Sequence, residues 1–289
     1  MTETAIHLPQ TDAVGLSENW LFKHCGEQHW EYLCAAMGVG GVNSEEMRDD
    51  EGRRLYPTFV AIRARYAAPL NSVRMDERFR TAVSIRHYGR AFFDSTVTFQ
   101  NDAARFDVEM LTTFVARNRE GLNDLHQSLP ASRLAYEAEP LSEPPALLRL
   151  SRRLRHKDVE DYDFCGSHFS PPGPGMGLST SYEPSPYSDY NGAGLLYFAA
   201  YPTITDTLER RLIHQHGLAA GGPDWALRSS TVARDIFYYR NLNLGEELVA
   251  TLKRFDRVGD DDVLLHTSLA AAGTGAELAD VFTLKRVTA

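Results

Sequence analysis

The sequence predicts an α+β fold of two related halves in tandem, each a single helix followed by an antiparallel sheet. Three observations predict it. Two stretches echo each other in the same order along the chain. Each half has one segment with apolar residues at helical spacing. Each helix is followed by four alternating segments rich in β-branched and aromatic residues. The first echo pairs Pro9-Gln10-Thr11-Asp12-Ala13-Val14-Gly15 with Pro186-Tyr187-Ser188-Asp189-Tyr190-Asn191-Gly192. Pro, Asp and Gly recur at one spacing, and each copy runs into an apolar, aromatic stretch, Trp20-Leu21-Phe22 or Tyr197-Phe198-Ala199. The second echo pairs residues 109–117 with 277–285.

In the first half Ser17 is a natural N-cap. Trp30, Leu33, Cys34 and Met37 then fall at helical spacing, and Gly38, Gly40 and Gly41 end the helix. Strands are expected at 56–66, 80–87, 92–99 and 110–117. In the second half the helix is expected over roughly 194–216, kinked or broken at Pro202. Its strands are expected at 231–239, 248–255, 263–269 and 278–287. A long apolar helix wrapped by such a sheet is the hot-dog arrangement, and two in tandem make a double hot-dog. The halves would occupy 1–135 and 182–289. Residues 136–181 would link them through a basic helix and a Pro/Gly loop, Pro171-Pro172-Gly173-Pro174-Gly175.

Composition narrows the classes of function. The chain has 289 residues, 43% hydrophobic, 24% charged and 10% aromatic. That suits a globular protein with a real core and excludes extensive disorder, collagen, a mucin stalk and a disulfide scaffold. Lys+Arg is 30 against Asp+Glu 39, a net charge of −9. An acidic chain without a long basic run argues against nucleic-acid binding. Cys25, Cys34 and Cys165 are odd in number and form no CxxC, which suits reduced thiols in the cytoplasm. The first ten residues carry no secretory signal pattern. The longest apolar stretch, 193–201, is about half a membrane span, so no membrane association is expected.

A hot-dog helix offers backbone N–H groups at its N-terminus to a developing oxyanion. Here that offer falls at Asn191, Gly192, Ala193 and Gly194, and in the other half at residues 14–17. The same glycines also suit a plain tight turn. Tyr56 precedes Pro57 and is biased to an extended start of a strand. Alternation groups Tyr56, Thr58, Val60, Ile62 and Tyr66 on a helix-facing side, with Arg63 and Arg65 on the other. A packed core tyrosine fits that position as well as a reactive one. His168-Phe169 with Pro172, Gly175 and Met176 resembles a dehydratase motif only superficially, because a loop and strand follow it instead of the central helix. His24 and His29 are five apart, outside one-face metal spacing, and His214 and His216 suit a helix C-terminus. No Ser-His-Asp order, HExxH, P-loop or GxGxxG occurs. No metal and no nucleotide-fold cofactor are expected. The one dense basic cluster holds Arg152, Arg153 and Arg155 on a short amphipathic helix. It would either dock an acidic partner or form a solvated linker.

Several of these segments resemble the LnmK family, bifunctional acyltransferase/decarboxylases of leinamycin-type polyketide pathways. They are Gly15-Leu16-Ser17-Glu18-Asn19-Trp20-Leu21, Leu55-Tyr56-Pro57-Thr58-Phe59, Asp189-Tyr190-Asn191-Gly192-Ala193-Gly194 and Arg234-Asp235-Ile236-Phe237-Tyr238-Tyr239-Arg240-Asn241. The resemblance covers both halves. It implies a double hot-dog enzyme that takes methylmalonyl-CoA, removes carbon dioxide and delivers propionyl to an acyl carrier protein. CoA enters as part of the substrate, and no cofactor is implied. The family's catalytic tyrosine corresponds to Tyr56. A free phenol ionises near pH 10, so a tyrosine nucleophile needs a base. In the family, the enolate left by decarboxylation takes the phenol proton. Oxyanion donors are assigned to the 192–194 turn, and Ser229 stands opposite Tyr56 in the second half, so one cleft carries the chemistry. Three rivals stay open: a thioesterase, a dehydratase using His168, and a non-catalytic carrier-binding protein docking through the 152–155 cluster. The oligomeric state is open, a homodimer among the options.

Overall fold

The computed structural model describes residues 2–38, 47–118, 122–132, 134–159, 162–169, 176–218, 225, 227–259 and 261–287. The first half holds β1 (Thr2–Ala5), β2 (Thr11–Asp12), β3 (Gly15–Leu16), α1 (Glu18–Ala36), β4 (Tyr56–Tyr66), β5 (Arg78–Tyr88), β6 (Phe92–Gln100), β7 (Arg105–Arg117) and β8 (Leu125–Gln127). The connection holds β9 (Glu139–Pro140), α2 (Ala146–Arg155), β10 (Tyr162–Phe164), β11 (Ser167–Phe169) and β12 (Leu178–Tyr182). The second half holds α3 (Ala200–His216), β13 (Ser229–Tyr238), β14 (Leu248–Val258), β15 (Asp262–Ala271) and β16 (Glu277–Val287). The eight long strands cover the eight expected segments, except that β13 ends at Tyr238, one residue short of the expected 239. Gly40, Gly41 and the 171–175 run lie outside the described residues, as do the side chains of His168 and Phe169.

One 12-stranded sheet runs β1-β5-β6-β7-β4-β13-β16-β15-β14-β12, with β8 beside β7 and β9 beside β5. Read outward from the centre, β4-β7-β6-β5 and β13-β16-β15-β14 follow the same order. The halves join where β4 pairs antiparallel with β13, Ile62 opposite Ile236. Both helices pack on one face of this sheet. Leu21, Phe22 and Cys25 of α1 share an apolar cluster with Ile204 and Leu208 of α3 and with Ile62 and Ile236. The chain is a double hot-dog with one core common to both halves.

The second helix starts later than its composition suggests. Residues 191–199 form turns, and α3 begins at Ala200. Pro202 therefore sits in the first turn, where its missing N–H has no intrahelical acceptor to lose, and no break is needed. The linker is also more than a spacer. Leu147 and Leu148 of α2 pack with Phe164 against Ala61, Leu111 and Phe237 on the sheet face opposite α1 and α3. β12 extends the sheet beyond β14.

Two ionic clusters pin this arrangement. On the α2 side, buried Asp235 accepts from Arg63 Nε at 3.2 Å, from Arg65 Nη1 at 2.5 Å and from the Tyr162 hydroxyl. Removing Asp235 would leave two guanidiniums against an apolar strap. That costs about 3 kcal/mol, the low end for a buried pair because both arginines are partly exposed. On the helix side, fully buried Arg234 bonds Glu18 of α1 at 2.9 Å and Asp206 of α3 at 2.8 Å. Lys285 of β16 bonds the same Asp206 at 2.9 Å. One turn further along α3, Glu209 accepts from Thr267 at 2.6 Å. Burial, with the Asp206 charge beside it, pushes the Glu209 carboxyl up to about 7.

Candidate active site

The β4·β13 ladder pairs 61–65 with 233–237 and goes no further. Beyond it, residues 56–60 of β4 face a cleft of about 1340 Å³. The cleft is walled by Phe59 and Tyr56 of β4, by Tyr238 and Tyr239 at the end of β13, and by Asn191 and Ala193. Arg152 and Arg155 of α2 stand over it.

A bulge at Val60 decides where Tyr56 points. Phe59 pairs with Thr112 and Ala61 with Leu111, so Val60 is the extra residue. One extra residue reverses the alternation on either side of it. Ile62, Ala64 and Tyr66 face the helices as expected. Tyr56 and Thr58, however, pair with Val115 and Thr113 and share the face of Leu111, which packs under α2. The expectation that Tyr56 and Ile62 lie on one side is therefore corrected. The second half carries a matching bulge at Val232 of β13. Aligning the halves on these two bulges places Arg228, one residue before Ser229, opposite Tyr56. Neither position carries a phenol.

That reversal sets Tyr56 beside Arg117, two residues past its partner Val115 on β7. Arg117 Nη1 donates to the Tyr56 hydroxyl oxygen at 3.4 Å, and its Cζ lies 4.8 Å from the ring centroid. Arg54 Cζ lies 4.9 Å from the same centroid. Arg117 Nη2 donates to the Ala193 carbonyl and to Asn123 Oδ1 at 3.1 Å. Asn123 in turn donates to the Gly194 carbonyl at 2.9 Å and the Leu242 carbonyl at 2.7 Å. Its backbone N–H donates to Asn243 Oδ1 at 2.7 Å. Arg117 and Asn123 thus tie the tyrosine of the first half to two loops of the second. Sequence reading singled out neither residue. The signal for Arg117 lay in the pairing of 56–66 with the strand ending at 117, which needed a register that sequence does not supply.

Among the described residues, Tyr56 is the tyrosine whose hydroxyl accepts from a cation; Tyr197 and Tyr201, in the same lining, share its want of an acceptor but have no such donor. Tyr66 donates to Glu18, Tyr162 to Asp235, Tyr182 to Asp189 and Tyr239 to Asp280. Tyr136, Tyr190 and Tyr238 donate to backbone carbonyls. Burial and the carboxylate partner hold Tyr239 well above the ordinary phenol range, and Tyr182 is pushed up to about 12 by the same two causes. Those protons are fixed. Among the described residues, the Tyr56 hydroxyl has only the Arg117 donor, and no acceptor takes its proton. His29 lines the inner cleft, but Ser95 at 2.6 Å and Thr112 at 3.0 Å occupy both of its ring nitrogens. Burial pushes it down to about 3, so it is neutral and not a base at physiological pH.

The expected oxyanion donors are rearranged. Asn191 Oδ1 accepts the N–H of Ala193 at 3.0 Å and of Leu195 at 3.1 Å, and the Asn191 carbonyl accepts the N–H of Gly194. These amides close a turn instead of facing the cleft, and the turn precedes α3 by several residues instead of starting it. Asn191 and Ala193 line the cleft; Gly192 and Gly194 do not. Gly194 is needed for its φ of +70°, and a Cβ there would stand 3.9 Å from Arg117 Nη2. The basic helix divides in a similar way. Arg152 lies over Phe92, and Arg155 lies over Tyr239 and donates to the Tyr238 carbonyl at 3.3 Å. Arg153 turns away to the Asp158 carbonyl. Lys23, Arg54, Arg152, Arg155 and Arg240 outnumber Glu27, Asp124 and Glu246 in the lining, against a chain charge of −9. The cleft is a cationic site on an acidic protein.

No protein-family model matches this chain, and no curated protein matches it in sequence. Solved structures do share its fold. A protein assigned as an oleoyl thioesterase from Lactobacillus plantarum superposes with a TM-score of 0.66 at 12% identity, covering 99% of this chain and 94% of that one. The 12:0-ACP thioesterase of Umbellularia californica gives 0.61 at 11% identity, over 99% and 93%. An acyl-ACP thioesterase from Bacteroides thetaiotaomicron gives 0.58 at 12% identity, over 99% and 96%. At such identities the likeness carries the double hot-dog fold alone.

Proposed function

We propose that this chain is an acyltransferase acting on a phosphopantetheine-borne thioester through an acyl-O-Tyr56 intermediate. The donor is a methylmalonyl-CoA-type thioester, decarboxylated to a propionyl group, and the acceptor is an acyl carrier protein. The observation that carries this reading is the Tyr56 hydroxyl. It stands in the cleft, accepts from Arg117, and has no described protein acceptor for its proton. In this reading the base comes with the substrate. Loss of carbon dioxide from a malonyl-type thioester leaves an enolate, which takes the phenol proton. The phenolate attacks the thioester carbonyl, and the CoA thiolate departs. The carrier's thiol then attacks the tyrosyl ester and restores the phenol. The resemblance around residues 55–59 and 189–194 supports the same assignment. The pair Arg152 and Arg155 fits the phosphate of the pantetheine arm or an acidic carrier surface.

A hydrolase is the second reading. Glu246 favours it: this carboxylate lines the cleft, held by the backbone N–H and Nδ2 of Asn243 at 3.2 and 3.0 Å, and could activate a water. Intact mass after mixing with methylmalonyl-CoA separates the two. The expected result is a propionyl adduct mapping to the Tyr56 peptide and absent in Tyr56→Phe. Turnover of the variant should fall about a thousandfold or more, the order seen when a covalent nucleophile is removed. Free acid without adduct, undiminished in Tyr56→Phe, would replace the transferase by the hydrolase.

A further inference from the structure

We infer that Arg117 and Arg54 form a guanidinium clamp that makes the Tyr56 oxygen nucleophilic, with Arg117 the positioning residue. The inference rests on the reading of Tyr56 as the attacking group and says what prepares it.

Two cations flank one phenol ring, Arg117 Cζ at 4.8 Å and Arg54 Cζ at 4.9 Å from its centroid. Arg117 also reaches the phenol oxygen itself, Nη1 to Oη 3.4 Å. Positive charge so placed stabilises negative charge gathering on that oxygen as its proton leaves. Anchorage matters as much as charge. Asn123 and the Ala193 carbonyl hold Nη2, so the guanidinium cannot swing toward bulk water. The planar fork of an arginine serves the phenol and the two anchors together, which a lysine cannot do. Elsewhere a tyrosine bonded to a carboxylate, as in Tyr239 with Asp280, keeps its proton. The clamp reverses that arrangement at one tyrosine.

The test uses an arylsulfonyl fluoride on the full-length protein at neutral pH, followed by peptide mass mapping. The phenol oxygen displaces fluoride at sulfur, an O–S bond replaces the S–F bond, and the phenol proton passes to solvent. Tyr187, 96% exposed, is the internal control for an ordinary phenol in water. Tyr56 is expected to label about tenfold faster than Tyr187, the scale of one or two unit charges about 4 Å away in a partly solvated cleft. Arg117→Gln should bring the two rates close to parity, and Arg117→Lys, which keeps the charge but loses the anchored fork, should fall between Gln and the wild type. If Arg117→Gln fails to fold, shown by its melting curve, Arg54→Gln provides the same comparison. Equal labelling of Tyr56 and Tyr187 in the wild type would overturn the clamp. So would an undiminished Tyr56 rate in the Gln variant, or a Lys variant as slow as Gln. Fast labelling with no acylation by methylmalonyl-CoA would instead overturn the acyl-transfer reading and leave the clamp standing.

Discussion

A single inserted residue decides which face of the sheet Tyr56 takes. Without the bulge at Val60, Tyr56 would point into the apolar layer beneath α1 and α3, away from Arg117 and α2. The tyrosine was legible in sequence, from Pro57 and the extended run after it. Its facing was not, because a bulge leaves little mark on hydrophobic alternation when Val60 could serve either side. Gly26 shows another residue-level constraint. A Cβ built there would come within 2.4 Å of Phe198 Cζ, and Phe198 lies 4.1 Å from Phe59, ring to ring, in the cleft wall. Gly26→Ala should therefore push the Phe198 ring into the cleft. An alanine in mid-helix returns about 1 kcal/mol of helix propensity, which offsets the contact. The expected outcome is a raised KM with an almost unchanged melting temperature. A normal KM would show that Phe198 moves elsewhere.

The elements follow the sequence closely where one face is buried, and depart from it where a turn overrides composition. Residues 56–66 form β4 from end to end because β7 pairs with it along its whole length. The α3 start moved to Ala200 because Asn191 satisfies the amides of 193 and 195 itself, closing a turn where a helix was expected. In α2 the amphipathic pattern was visible, but not the direction in which each of its three arginines turns. Leucines 147 and 148 fix the helix against the sheet, and that rotation sends Arg152 and Arg155 to the cleft and Arg153 to solvent. Arg152→Ala and Arg155→Ala should each raise KM for an acyl-CoA, with an effect that shrinks as salt rises, while Arg153→Ala should leave KM alone. Initial rates at two ionic strengths check this. Equal effects from all three would favour docking to an outer surface.

At the scale of the molecule, the halves are joined by one continuous sheet, a shared apolar cluster and the buried Glu18–Arg234 pair. The Glu18–Arg234–Asp206–Lys285 lattice links both helices to the sheet, and no sequence pattern announces it: its members lie far apart in the chain and read as ordinary surface charges. Its neighbour Glu209 gives the folded state a pH dependence. The carboxyl, ordinarily near 4.5, titrates at about 7 when folded. The folded protein thus binds this proton more tightly than the unfolded chain does. Its contribution is fully present below about 4.5 and is lost as pH rises through about 7. Glu209→Gln should match the wild type near pH 4.5 and melt above it near about pH 8. Melting curves across that range test it, and a constant offset would mean that Glu209 does not titrate there.

The paired bulges at Val60 and Val232 have a consequence for how such a protein can change. When two identical subunits make a pair of clefts, every mutation falls in both, and a residue good for reaction but poor for hold weakens the assembly twice. Joining the copies in one chain breaks that symmetry of inheritance. One cleft can keep a tyrosine between two arginines. The counterpart positions of the second half can drift toward pure adhesion, and Arg234, Asp206 and Lys285 under α3 are the kind of fastening that such drift can reach.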